Sequence, residues 1–301
     1  MDKRREIFGI AIVVGVSICF AFSNTLAGLS YRRGADPFSL STVRFFLPSL
    51  ILIGILFAAG KPILLPRRDG MIGIVLGIVT AIYAWSFLSA IEVLPVSLAV
   101  LIFFLFPLFT SLIVAIFGWG RLTRATVIAG LVAFGGLALA LGVTWSSLEL
   151  IGVVFGLIAA FGIAIVSVVS SRVMKNSDHR QVALYIAATA AVTFVVIALV
   201  RGEFLMPQTT TGWWAFAGTN ILFAAAMIGF FVGIAMIGPV KTTLFSYLEP
   251  LVTIAAAFML LGQRLEAGQL LGALVVISAL LYAGWSGLRQ QRSGPAETRS
   301  N

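Results

Sequence analysis

The sequence reads as an all-α integral membrane protein, with ten transmembrane helices in two inverted five-helix repeats and both termini cytoplasmic. Three observations carry this expectation: an apolar excess, a one-sided distribution of Lys and Arg, and an internal repeat at an offset of 143 residues. Of the 301 residues, 60% are hydrophobic and 10% charged, and mean hydropathy is +1.09. A soluble domain has about 25% charged and about 45–50% apolar residues. Lipid accepts such a surplus on every helix, whereas one soluble core cannot bury it. The single cysteine, Cys19, excludes a disulfide framework and a cysteine metal cluster.

A span needs roughly 17–25 mostly apolar residues. The first, 7–29, follows Lys3, Arg4 and Arg5 and exceeds a signal-peptide core of about 7–15 residues, so it is read as retained. Segment 38–59 follows the turn Arg33-Gly34-Ala35-Asp36-Pro37, and 71–91 follows Lys61-Pro62. Pro95 then separates 71–91 from 96–117, and 125–143 completes the first set. The second set is 150–173, 182–200, 213–236, 240–261 and 267–288, with Pro239 marking a narrow boundary. The expected units are 1–146, 147–288 and a basic cytoplasmic tail, 289–301.

Orientation follows from bases near the span ends. With the N-terminus inside, the cytoplasmic segments carry Lys3, Arg4, Arg5, Lys61, Arg67, Arg68, Arg121, Arg124, Arg172, Lys175, Arg180, Lys241, Arg289, Arg292 and Arg299. The opposite segments carry only Arg32, Arg33, Arg201 and Arg264. This asymmetry accounts for the net charge of +9 without a nucleic-acid partner.

Pro107-Leu108-Phe109-Thr110 matches Pro250-Leu251-Val252-Thr253, and the same offset sets Arg121-Leu122 on Arg264-Leu265 and Ala125 and Ala129 on Gly268 and Gly272. Pro95 and Pro239 correspond with a one-residue slip. At an offset of 142, Arg33 and Asp36 fall on Lys175 and Asp178. Five spans per half invert the second half, and inverted repeats commonly enclose a midplane substrate site. Rocking of the two halves about that site is the expected motion. Glycine pairs at GxxxG spacing, Gly73/Gly77, Gly152/Gly156, Gly229/Gly233 and Gly268/Gly272, read as helix-packing contacts.

Thr242-Thr243-Leu244-Phe245-Ser246-Tyr247-Leu248-Glu249-Pro250-Leu251, then Leu260-Leu261-Gly262-Gln263-Arg264-Leu265, Gly268-Gln269 and Gly272, resembles the closing segment of EamA-type transporters of the drug/metabolite transporter superfamily. The five-plus-five plan resembles that family over almost the whole chain. Within it the chain is most similar to YddG-type aromatic amino-acid exporters, on overall similarity. Many members carry an acid where this chain has Gln263, so a role of that acid is not carried over. The resemblance implies export of small metabolites from the cytoplasm through a central cavity.

Ionisable groups inside spans are functional candidates by default. Glu249 is the one acid near mid-span, nine residues from position 240 and roughly 14 Å deep by helix rise. It reads as a proton-coupling group, a ligand for a substrate ammonium, or an acid capping backbone freed by Pro250. Arg44, the one base within a span, lies roughly 10 Å from the outer surface, and Asn24 on the neighbouring span falls at similar depth. Together they would bind a carboxylate or gate the outer mouth; the alternative is an arginine snorkelling to the interface. Deep aromatics beside small residues, Tyr83, Trp85, Phe103, Phe106, Tyr185, Phe223, Phe230 and Tyr247, with Ser86, suit the wall of a cavity for an aromatic solute. Core or lipid packing is the competing role for each.

No HExxH, Walker loop or Cys/His cluster occurs in the sequence, so no cofactor, metal or ATP-driven step is expected. The expected activity is secondary, alternating-access amino-acid export across the inner membrane, with an aromatic or neutral preference. Protons are the candidate coupling ion. A lipid-modifying membrane enzyme and a channel are the competing classes.

Overall fold

The computed structural model describes residues 3–119, 123–142, 149–202, 204–261 and 266–292. Among these, twelve α-helices and no strands form: α1 (Lys3–Tyr31), α2 (Pro37–Ala58), α3 (Arg67–Val93), α4 (Val96–Phe103), α5 (Phe106–Ile116), α6 (Arg124–Ala140), α7 (Leu150–Val173), α8 (His179–Arg201), α9 (Thr210–Ile237), α10 (Pro239–Phe245), α11 (Leu248–Leu261) and α12 (Ala267–Arg292). Seven stretches are long and apolar enough to cross a bilayer: α1 from Arg4, α2, α3, α4 with α5, α7, α8 and α9. The three remaining expected segments fall on α6, on α10 with α11, and on α12. Asp2, Arg121, Leu122, the 146/147 unit boundary, Glu203, Gly262, Gln263, Arg264, Leu265 and tail positions 293–301 lie outside the described residues.

Two expected continuous spans are broken in the middle. α4 stops at Phe103 and α10 at Phe245, and each chain resumes as a helix with proline in its first turn. Phe103 and Ser246 stand four residues before Pro107 and Pro250. A proline ring crowds the carbonyl at that position and offers it no N–H. Pro48, by contrast, stays inside α2.

Asp36 and Asp178 cap α2 and α8, each accepting a backbone N–H, from Ser39 at 2.9 Å and from Arg180 at 3.0 Å. Hydrogen bonds from Arg180 hold the Asp178 carboxyl below its ordinary value, at about 2.

The two sequence halves interleave in space. α1 packs along α9, α3 along α7, α6 on α12 and α2 on α8, and every one of these pairs joins one half to the other. Small residues create the seams. A Cβ on Gly233 would come within 2.6 Å of Val13, one on Gly229 within 2.6 Å of Val16, and one on Gly156 within 2.7 Å of Ile102. Gly272 approaches the backbone of Gly136 and Ala140, and Gly73 seats Tyr185. Without lipid exclusion to drive them together, helices need such close approach for dispersion contact.

Both ends of the bundle are tied. At the end where α1 begins, buried Glu6 pairs with Lys241 at the start of α10. Ser177 donates to Asp69 there, and Gln181 donates to the Pro62 carbonyl. At the far end the turn after α1 meets the turn before α9: Gln208 N donates to the Arg33 carbonyl and Leu205 N to Ser39 Oγ.

Candidate functional site

Polar side chains in apolar helices usually return to their own backbone, as Ser17, Thr42, Ser49 and Thr80 do to the carbonyls four residues earlier. Arg44 has no such outlet. Its guanidinium leaves α2, crosses the Phe223 ring of α9 at 4.2 Å, and reaches α1. There Arg44 Nη2 donates to Ser23 Oγ and to Asn24 Oδ1, each at 3.0 Å. Asn24 Nδ2 in turn donates to Glu249 Oε1 on α11 at 2.9 Å. One string of hydrogen bonds therefore joins a cation, an amide and a carboxylate from three helices.

The string rests on rigid supports. Ser23 and Thr219 exchange hydroxyl-to-carbonyl bonds of 2.9 and 2.6 Å, pinning α1 to α9. Phe223 is held edge-on by Phe20 and Phe45, and Phe45 stacks on Phe194. A guanidinium over an aromatic face gains cation–π attraction and keeps its edges for hydrogen bonding. Arg44 Nε is buried and has no partner. Among the described residues, Tyr31, Glu249 and Tyr83 are the ionisable groups whose charges act on Arg44. Asn24 is exposed although it lies seven residues inside α1, so accessible space reaches the string.

Asn24 and Arg44 thus meet, with the guanidinium reaching α1 across the Phe223 ring. Glu249 Oε1 accepts from Asn24. Phe223 joins this cluster directly. A second group forms at the helix breaks, where Phe103 and Phe106 flank Phe104, and the ring of Phe104 lies 6.0 Å from that of Tyr247. Tyr247 is fully buried and its hydroxyl has no partner. Ser86 and Phe230 are buried on α3 and α9.

Two candidates lie apart. Trp85 is 42% exposed and meets Phe155, and Tyr185 packs on Gly70 and Gly73 with its hydroxyl accepting from Leu65 N. Ser23, Thr219, Phe20 and Phe45 were not singled out by the sequence. The adjacency of Ser23 to Asn24 was the available signal, but a serine in a span ordinarily bonds its own helix.

Comparison with known proteins follows the same lines. Residues 7–142 and 150–285 each match the model of the EamA-like transporter family. An S-adenosylmethionine uptake transporter of Rickettsia felis is 23% identical over 251 residues, covering 83% of each chain. The uncharacterized transporter YyaM of Bacillus subtilis is 29% identical over 286 residues, 86% of this chain and 92% of that protein. A solved crystal structure superposes with a TM-score of 0.74 at 19% identity, over 94% of this chain and 99% of the other, which is a likeness of fold.

Proposed function

The chain belongs to the EamA-like transporter family, and on that premise we propose that it is a secondary carrier exporting amino acids of aromatic or neutral character. The single observation carrying this reading is the Arg44–Asn24–Glu249 string, open to accessible space at a depth where charges are costly. The aromatic wall of Phe20, Phe45 and Phe223 supports the preference for an aromatic solute.

Ten spans in two inverted repeats are part of the proposal, with α6, the α10–α11 pair and α12 joining the seven long stretches. The paired placement of the caps Asp36 and Asp178, and of the breaks before Pro107 and Pro250, supports it. The distribution of bases supports cytoplasmic termini, and an inner-membrane location is part of the same proposal. Because the halves interleave, the bodies that rock are drawn from both: α1 with α9, α10 and α11 on one side, α7 with α3, α4 and α5 on the other. Protons are the proposed coupling ion, taken up by Glu249 in the substrate-free carrier and released before it receives a substrate ammonium.

Counterflow of labelled phenylalanine, tryptophan and leucine in proteoliposomes tests the assignment. Accumulation against an unlabelled internal pool is expected of a carrier; a channel gives no overshoot. No counterflow with any of them would reject the amino-acid reading. One relative favours a second substrate, S-adenosylmethionine. It combines an adenine ring with the same α-amino carboxylate head, and belongs in the same assay.

A further inference from the structure

We infer that the Arg44–Asn24–Glu249 string is the receptor for the head group of a zwitterionic α-amino acid, its carboxylate on Arg44 and its ammonium on Glu249. This rests on the carrier reading above and assigns the two charges to ligand binding.

The order of groups along the string carries the assignment. Asn24 presents its carbonyl oxygen to Arg44 at 3.0 Å and its amide N–H to Glu249 at 2.9 Å. An α-amino carboxylate presents an acceptor and then a donor in that order, with one more carbon between them. The exposed Asn24 amide thus occupies the bonds that a ligand entering the accessible space would take over. Arg44 has capacity for the exchange. Its buried Nε is unpartnered, and with Nη2 it forms the fork that accepts a carboxylate in two parallel hydrogen bonds. Phe223 covers a face of the guanidinium and takes none of its hydrogen-bonding edges.

Charge balance gives the site its selectivity. Arg44 and Glu249 sum to zero, and a zwitterion adds zero, so loading brings no net charge to a low-dielectric site. A ligand lacking its carboxylate leaves Arg44 without the stronger partner, and one lacking its ammonium does the same to Glu249. Buried groups left unpaired are what let a polar site reject near-isosteres strongly. Glu249 also sits in the first turn after the α10–α11 break, so the ammonium ligand lies beside the discontinuity while the carboxylate ligand lies on unbroken α2.

The test is competition against labelled phenylalanine counterflow in proteoliposomes, using phenethylamine, which lacks the carboxylate, and 3-phenylpropionate, which lacks the ammonium. In the wild type each analogue is expected to compete at least about tenfold more weakly than phenylalanine. Arg44→Gln should bring phenethylamine level with phenylalanine while 3-phenylpropionate stays excluded, and Glu249→Gln should do the reverse. Asn24→Asp changes an exposed residue, keeps its shape and sets a second carboxylate beside Arg44. It serves where a charge-removing variant fails to fold, and should turn the preference to phenethylamine. Equal competition by both analogues in the wild type, or an unchanged order in Asn24→Asp, overturns the head-group assignment and leaves the carrier reading standing. No counterflow of phenylalanine or S-adenosylmethionine overturns the assignment together with the substrate reading.

Discussion

The surroundings of Arg44 and the matching region of the second half share a scaffold and differ in chemistry. The offset of 142 residues that aligns Asp36 with Asp178 sets Asn24 against Val166 and Arg44 against Ile186, and the offset of 143 sets Glu249 against Phe106. Val166, Ile186 and Phe106 are all buried and apolar. The first region is polar and open to accessible space; the second is closed and packed. Caps and helix breaks recur in both halves, while the charges occur once. One set of charges is what a carrier with a single head-group site requires.

The sharpest way to break the contrast is to write the second region into the first. Glu249→Phe should lower counterflow on the order of tenfold or more, because Asn24 and Arg44 lose their ionised terminus. Retained counterflow would remove the carboxylate from any essential role. Stability gives the next largest effect. Arg44→Gln or Glu249→Gln alone leaves an uncompensated charge at depth, a loss of about 3–5 kcal/mol for buried pairs. The double variant should melt above either single variant, and a double variant that is the least stable of the three would contradict the pairing.

Glycines probe the scaffold common to both regions. Gly272→Ala meets backbone on α6 and should cost about 1–3 kcal/mol, whereas Gly268→Ala, with only Leu139 at 3.9 Å, should leave the melting temperature unchanged. The smallest effects belong to the caps. Asp36→Ala and Asp178→Ala should each cost about 1 kcal/mol. The Asp178 carboxyl is held at about 2 in the folded state, from an ordinary 3.8. Its stabilisation is therefore complete above the ordinary value and fades as pH falls toward 2. A melting-temperature difference between wild type and Asp178→Ala that fails to shrink on acidification would exclude that origin.

Much of the scaffold was legible in the sequence. Hydropathy located the long helices, and the Asp36–Asp178 correspondence marked two equivalent positions without naming them as caps. Asn24 and Arg44 could be paired because one lies five residues before Leu29 and the other seven after Pro37, at similar depth on neighbouring spans. Glu249 was recognised as isolated at depth, but its partner lies 225 residues away and depends on α1 packing against α11. That two helices break ahead of Pro107 and Pro250 follows from crowding of the carbonyl four residues before each ring. Interleaving of the halves was illegible, because small-residue spacing marks a seam without naming the helix across it.

That interleaving sets the order in which the protein is completed during synthesis. Ser23 and Thr219, which lock α1 to α9, are separated by 196 residues. At about 5–20 residues per second, α1 waits roughly 10–40 s for its counterpart to leave the ribosome. Throughout that interval the Gly229/Gly233 contacts do not exist, and Arg44 stands in the bilayer without the Phe223 ring beneath it. The nascent first half is thus an inserted but unassembled intermediate, dependent on translation to deliver its other side.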